Sequence, residues 1–143
     1  MLIGEHRHSI DDKKRLSLPA KFRAELGKKI IIAKGLDNCL SVYTPKEWKN
    51  FSERLSVETL KSDNRGLNRF MFGGASEAEV DGVGRILVPD FLAEWATLTE
   101  KVVILGVQNH VEIWNEKTWL AYKAQNERQA NELAEKVGGS VKA

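Results

Sequence analysis

The stretch that decides the fold is residues 11–19, DDKKRLSLP, because it returns 70 residues later as residues 81–89, DGVGRILVP. Both copies keep an acid, an arginine four residues later, two alternating apolar residues and a proline. A second match, at a spacing of 71, places residues 35–43, GLDNCLSVY, over residues 106–114, GVQNHVEIW, and Trp48 over Trp119. An ordered match of this many residue types indicates an internal repeat of about 50 residues.

Each copy predicts the same order of elements. A short strand ends at the proline, which can begin a short helix because its missing N–H costs nothing there; the first such helix is predicted over Ala20–Leu26, with a stop at Gly27. A β-hairpin and a second helix follow in each copy, with Asn115 beginning a last helix from Glu116 to about Val137. The hairpin strands are predicted at residues 30–33, 40–43, 102–105 and 111–114.

The two copies are predicted to form one domain of class α+β with a mainly β core. One copy alone exposes too much apolar strand surface to be stable, and two copies about a pseudo-twofold axis can share a core and close their strand edges into a barrel. The predicted units are residues 5–51 and 75–122, joined by a helix or loop over 52–74. Residues 123–143 form a C-terminal helical extension whose end, around Gly139 and Ser140, is expected to fray.

Composition narrows the class of protein. The chain has 143 residues, 42% of them apolar, and a single cysteine, which excludes a disulfide framework and a multi-cysteine zinc site. No apolar run approaches the roughly 18 residues that cross a membrane, so a soluble intracellular protein is expected. Residues 1–70 carry 15 Lys and Arg against 9 Asp and Glu, whereas the remainder carries 7 against 11. Such asymmetry indicates either a surface for a polyanion or a solvated face without a partner.

The Asp-x-x-x-Arg element precedes a strand in both copies, as Asp11 with Arg15 and Asp81 with Arg85. There the carboxylate can accept N–H groups of the loop and leave the guanidinium to face phosphates and base edges. The alternative is an ion pair that only tightens the turn. The first loop has many basic neighbours, whereas the second has Val83 and Gly84. The neighbours of the first loop are Arg7, His8, Lys13, Lys14 and Lys21.

Catalytic and metal chemistry find little support in the sequence. Cys39 occupies a turn position without a pattern that activates a thiol. His6 and His8 are two ligands at most, which do not make a metal site. Gly82 and Gly84 lack the third glycine and the context of a dinucleotide site. No cofactor is predicted.

Beyond these local features, the chain resembles the MraZ family. The resemblance rests on the paired Asp-x-x-x-Arg elements, Pro-Ala-Lys-Phe-Arg at 19–23, the stretch at 35–43 and Glu-Ile-Trp at 112–114, and it covers nearly the whole chain. It implies a bacterial transcriptional regulator built from two AbrB-like units that form a swapped-hairpin β-barrel. Two departures are Lys14, where the family usually has Gly, and Val83, where a polar or basic residue is common.

The resemblance also implies partners and a site. It predicts binding to short direct repeats of DNA upstream of the division and cell-wall operon, a ring-shaped homo-oligomer, no membrane partner, and a cytoplasmic, nucleoid-associated location. Asp11 and Asp81 are predicted to organise the loops, and six basic residues to bind DNA. These six are Arg7, His8, Lys13, Lys14, Arg15 and Arg85.

Other functions remain open at this point. The same barrel could serve as an oligomeric interaction or assembly module without binding DNA. A toxin-neutralising antidote would carry one unit and a disordered tail, and an enzyme is the remotest of the three.

Overall fold

A computed structural model describes residues 1–55 and 62–138, and in them the order strand–strand–helix–strand–strand–helix occurs twice. Each predicted hairpin strand lies within an observed strand, and a further helix follows each copy. The strands are β1 (Leu2–Ser9), β2 (Arg15–Ser17), β3 (Lys29–Lys34), β4 (Leu40–Tyr43), β5 (Ser76–Glu79), β6 (Arg85–Leu87), β7 (Lys101–Gln108) and β8 (Val111–Asn115). The helices are α1 (Ala20–Leu26), α2 (Pro45–Leu55), α3 (Ser62–Gly73), α4 (Asp90–Trp95), α5 (Glu116–Arg128) and α6 (Ala130–Val137). The α+β class with a mainly β core is confirmed.

Six strands form one antiparallel sheet in the order β1-β7-β8-β4-β3-β5. This order is symmetric about the β8–β4 pair, because each strand of the first copy has its counterpart at the mirrored place. The outer strands are exchanged between copies: β1 pairs with β7 of the second copy, and β5 pairs with β3 of the first. Neither copy therefore has a complete sheet of its own.

The two shortest strands form a separate ribbon, with β2 paired antiparallel to β6. Leu16 faces Ile86 at its centre, and both are buried, at 0% and 1% exposed. The ribbon is extended by two matched bonds, from the Leu18 N–H to the Gly84 carbonyl at 3.0 Å and from the Val88 N–H to the Lys14 carbonyl at 2.9 Å. The ribbon therefore has matching hydrogen bonds on either side of its central Leu16–Ile86 pair.

The main core lies between the inner face of the sheet and a layer made by the ribbon, α1 and α4. Leu16 and Ile86 enter it from the ribbon, and Phe22 and Leu92 enter it from the two helices. A smaller apolar cluster lies on the outer face of the sheet, where Trp114 packs against Trp119 and Tyr122 of α5. Since both copies supply the main core, neither is expected to fold alone.

The prediction of a closed barrel is wrong for the strands that the structure describes. Strands β1 and β5 are the two edges of an open six-stranded sheet. The strands that would have to bridge them are only three residues long and pair with each other, apart from one isolated bridge between Ile10 and Leu16. Helices α1 and α4 then cover the rest of the core, so burial of the apolar surface does not require closure.

Helix ends follow the predicted signals, with one correction. Gly27 ends α1 with φ of 74°, and the Asn115 side chain accepts the Lys117 and Thr118 N–H groups at 2.9 and 3.3 Å. The single helix predicted from residue 116 to 137 is interrupted at Gln129, whose φ of −107° lies outside the helical range. No residue of α5 or α6 is fully buried, so packing does not hold one straight helix there. The predicted fraying at Gly139 and Ser140 lies outside the described residues.

Candidate nucleic-acid interface

The first loop is organised by the carboxylate of Asp11. Its Oδ1 accepts the N–H groups of Lys13 at 3.0 Å and Arg15 at 2.8 Å, and its Oδ2 accepts Nε of Arg15 at 2.8 Å. The Asp11 carbonyl also accepts the N–H of Lys14 at 3.0 Å. One side chain thus closes the turn and fixes the base of the arginine fork, and the two terminal nitrogens of Arg15 take no part in this contact.

The second loop repeats this geometry almost atom for atom. Oδ1 of Asp81 accepts the N–H groups of Val83 at 3.0 Å and Arg85 at 2.8 Å, and Oδ2 accepts Nε of Arg85 at 3.0 Å. The repeat seen in the sequence is therefore a repeat of hydrogen bonds. An acid is required at the first position because only a carboxylate can accept all three donors with two oxygens.

Both carboxyl groups are held in the charged form. The N–H of Arg15 lowers the pKa of Asp11 below its ordinary value, helped by the Arg15 side chain, and the N–H of Arg85 does the same to Asp81. These carboxyls are therefore ionised at neutral pH. The carboxylate that shapes each loop also neutralises the charge of the loop arginine. A net positive charge for DNA must therefore come from neighbouring residues.

The two arginines lie on one surface, the outer face of the β2–β6 ribbon. Arg15 is paired with Leu87 and Ser17 with Arg85, on the side opposite the buried Leu16–Ile86 pair. The Arg15 and Arg85 side chains are 37% and 36% exposed. A two-stranded β-ribbon is one of the elements that fit the major groove of DNA, where arginine can form two bonds to guanine.

The surroundings of the two loops differ in charge. The first loop carries the exposed Lys13 and the half-buried Lys14, with the exposed Lys21 nearby in sequence on α1. The equivalent positions of the second copy are Val83, Gly84 and Phe91. Val83 and Phe91 are 66% and 46% exposed. The first half of the surface is therefore cationic, and the second half is apolar.

Lys14 occupies a backbone conformation that favours glycine. Its φ is 62°, and its counterpart Gly84 has φ of 86°. The left-handed region costs a residue with a side chain roughly 1–2 kcal/mol. The first loop thus forms without a glycine. The left-handed backbone at Lys14 lowers stability, and the lysine adds one positive charge at the ribbon.

Two predicted DNA-binding residues, Arg7 and His8, lie on opposite faces of β1. Arg7 pairs with Val103, which belongs to the outer apolar cluster, and His8 pairs with Val102, which belongs to the main core. Burial lowers the pKa of His8 below its ordinary value, and the nearby His6 lowers it further. His8 is therefore neutral at pH 7, and the structure does not bring Arg7 and His8 together on one cationic surface.

One residue that sequence reasoning did not assign to the site is Arg23. It lies on α1, yet its Nη1 donates to the carbonyl of Val83 in the second loop at 3.4 Å. The repeat offered a signal, because the position equivalent to Arg23 in the second copy is Ala93. A difference of this size between matched positions indicates a contact that only one copy makes.

The remaining candidate chemistry has structural explanations. The Cys39 thiol is fully buried, its Sγ donates to the carbonyl of Leu36 at 3.2 Å, and burial raises its pKa, so it remains a protonated thiol. His6 packs edge-on against Phe22, with ring centroids 5.1 Å apart. In residues 1–55 and 62–138 no three His, Cys, Asp or Glu side chains are grouped as metal ligands would be. No helix in the described part of the chain has the length and apolar character of a membrane span.

The fold and the loops together define a class: tandem-repeat α+β proteins in which two Asp–Arg loops flank a shared β-ribbon. A family model described as "MraZ protein, putative antitoxin-like" matches the chain twice, over residues 1–70 and 71–138. The chain belongs to the MraZ family, which is not a family of enzymes.

Curated relatives match nearly the full length of the chain. It is 47% identical over 136 residues to the "Transcriptional regulator MraZ" of Caldanaerobacter subterraneus subsp. tengcongensis, covering 94% of this chain and 95% of that one. Proteins of the same name from Caldicellulosiruptor saccharolyticus and Moorella thermoacetica are 48% and 47% identical over 138 residues, covering 96% of each chain.

Proposed function

We propose that this chain is a sequence-specific DNA-binding transcriptional regulator that acts on short direct repeats upstream of the division and cell-wall operon. The observation that carries the proposal is the ribbon whose outer face presents Arg15 and Arg85, each held by its loop aspartate. The name of the relatives, transcriptional regulator, agrees with this use of the ribbon.

The roles of the basic residues follow from their chemistry. Arg15 has a planar fork that suits guanine O6 and N7 or a phosphate, and its fixed Nε restricts the directions in which the fork points. Lys13 and Lys14 act as charges toward phosphates, which give affinity without sequence preference. Arg85 has the same fork in a less basic loop and therefore makes the weaker contribution. Arg7 and His8 are peripheral and add little to the affinity, His8 because it is neutral at pH 7.

Assembly completes the proposal. One protomer offers about four to six basic side chains to DNA, which corresponds to a salt slope of only about −4 to −5. A ring-shaped homo-oligomer places several ribbons on successive repeats, and the high effective concentration multiplies their contacts. Such a regulator works in the cytoplasm, associated with the nucleoid, and needs neither a cofactor nor a membrane.

The proposal also divides the chain into two structural units. We take residues 5–51 and 75–122 as two AbrB-like units, 52–74 as the connection and 123–143 as an extension. The exchange of β1 and β5 between copies and the shared ribbon support a swapped arrangement of these units.

The test is the loss of Arg15. We expect Arg15→Ala to weaken binding to a duplex selected from a random-sequence pool by about 1–3 kcal/mol per bound loop, and to relax sequence preference at one position. Gel shifts at fixed salt measure both effects. Arg128→Ala is the matched control, because Arg128 is exposed on α5, which packs on the opposite face of the sheet. Unchanged affinity of Arg15→Ala, with the oligomer intact, would refute the proposed function.

An assembly module that does not bind DNA is the second candidate, and one observation favours it. Val83, Leu87 and Phe91 around the second loop are 66%, 60% and 46% exposed, which suits a protein contact better than a phosphate. In this case the selection yields no duplex, and Leu87→Ser reduces the oligomer size in light scattering.

A further inference from the structure

Arg23 joins the helix of the first copy to the loop of the second. Besides the 3.4 Å bond from its Nη1 to the Val83 carbonyl, its guanidinium lies directly over Gly84. A Cβ built on Gly84 would lie 2.5 Å from Cζ and 2.7 Å from Cδ of Arg23, well inside van der Waals contact. The arginine thus fills the space that a side chain at residue 84 would need.

Where a helix meets the loop of the other copy, the two copies place the large side chain on opposite partners. Arg23 and Ala93 are equivalent, because their N–H groups bond to the carbonyls of Pro19 and Pro89, both at 3.0 Å. Lys14 and Gly84 are equivalent, because their N–H groups bond to the carbonyls of the two loop aspartates, both at 3.0 Å. The helix of the first copy therefore brings an arginine to the glycine of the second loop. The helix of the second copy has an alanine at the equivalent position, and the first loop has a lysine.

Stability alone does not account for Arg23. Its Nε is buried and has no hydrogen-bond acceptor among the described residues, and its bond to Val83 is long. A buried N–H without an acceptor lowers the stability of the folded state. The alanine at the equivalent position of α4 carries no such penalty and is 3% exposed. The unpaired Nε therefore reduces the stabilisation that Arg23 gives the fold through its other contacts.

We propose that Arg23 is a positioning residue for the second loop: by bonding the Val83 carbonyl and covering Gly84, it sets the direction in which Arg85 faces DNA. The claim about DNA rests on the proposed function, whereas the claim about the loop does not. The second loop then receives a cationic side chain at Val83 and Gly84 from the other copy's helix, where the first loop carries its own Lys14.

The first experiment needs no DNA. Arg23→Met keeps much of the apolar stem over Gly84 and removes the guanidinium. We expect amide hydrogen exchange at residues 83–85 to rise about fivefold, the equivalent of one lost hydrogen bond, with the first loop unchanged. Lys46→Ala, an exposed position on α2, is the control. Unchanged exchange at residues 83–85, or an equal rise in both loops, would overturn the proposal. If Arg23→Met does not fold, Arg23→Lys is used instead, and a smaller rise in amide exchange at residues 83–85 is expected.

The second experiment measures the coupling of Arg23 to Arg85 on a duplex selected from a random pool by the unmodified protein. We expect Arg23→Met to weaken binding, and the double variant with Arg85→Ala to bind no more weakly than Arg85→Ala alone, because one residue acts through the other. Independent, multiplying effects would overturn the positioning role. If Arg15→Ala leaves binding unchanged with the oligomer intact, the proposed function fails, and the exchange experiment alone decides the role of Arg23.

The third experiment transfers the arrangement of the first loop to the second. Gly84→Lys alone is expected to raise exchange throughout the second loop, because the new side chain overlaps Arg23. Combined with Arg23→Ala, it recreates the pair of lysine and alanine found at positions 14 and 93, and protection should return in part, because the left-handed backbone at residue 84 still disfavours lysine. Equal damage by Gly84→Lys with and without Arg23 would overturn the claim that Arg23 occupies this space.

Discussion

Lys14 links the stability of the first loop to its affinity for DNA, and two substitutions separate the effects. Lys14→Gly removes both the charge and the side chain that makes φ of 62° unfavourable. Lys14→Ala removes the charge and keeps the unfavourable backbone. The two variants should therefore lose the same DNA affinity and differ in stability.

The expected magnitudes follow from these two terms. One lost phosphate contact makes the salt slope shallower by about 0.9, which at 0.15 M salt corresponds to about fivefold weaker binding. The left-handed backbone costs alanine roughly 1–2 kcal/mol. Glycine in turn gains about 0.4–1 kcal/mol of freedom in the unfolded chain. The Gly variant should therefore be more stable than the Ala variant by about 0.5–1 kcal/mol.

Thermal unfolding and fluorescence anisotropy on labelled duplex measure the two quantities. A difference of this size corresponds to a midpoint about 1–4 °C higher for Lys14→Gly. Lys46→Ala, an exposed position on α2, controls for the loss of one positive charge from the chain as a whole. A more stable Ala variant would refute the backbone argument, and an unchanged salt slope in both variants would refute the phosphate contact.

Three further outcomes are expected. The pKa values of Asp11 and Asp81 lie below the ordinary 3.8, so the stability that these carboxylates give is complete above that pH and is lost as the pH falls through the lowered pKa values. Carboxyl-carbon NMR should give titration midpoints below 3.8. A midpoint at or above 3.8 would contradict the loop geometry. The pKa of His8 is lowered from 6.5, so His8 is neutral at pH 7.5. In a gel shift, His8→Ala should therefore change the DNA affinity by no more than about twofold. A larger loss would assign His8 a direct contact with DNA. Leu16→Ala, at the fully buried centre of the ribbon, should lower the free energy of unfolding by about 2–5 kcal/mol in urea titrations, and a loss below about 1 kcal/mol would show that the ribbon is not part of the main core.

Much of the site could be predicted because its chemistry is local. An aspartate four residues before an arginine, followed by a strand, contains all the donors and acceptors of the loop, and both copies form it as a closed set of hydrogen bonds. The placement of Arg7 and His8 could not be predicted in the same way. Neighbours in a strand face opposite sides of the sheet, and which side is cationic depends on what packs there.

Strands β1 and β5 were not predicted, whereas the sequence by itself determined the internal repeat, the short strand, helix, hairpin and helix of each copy, the helix stop at Gly27 and the two arginine loops. These features follow from residue types at short spacing, where local hydrogen bonds and backbone preferences decide the outcome. The tertiary structure alone decided that the strands form an open sheet and a separate ribbon, that β1 and β5 change places between copies, and that Arg23 crosses to Gly84. Each of these depends on contacts between residues far apart in the chain, whose energies come from the shared core and not from any single segment.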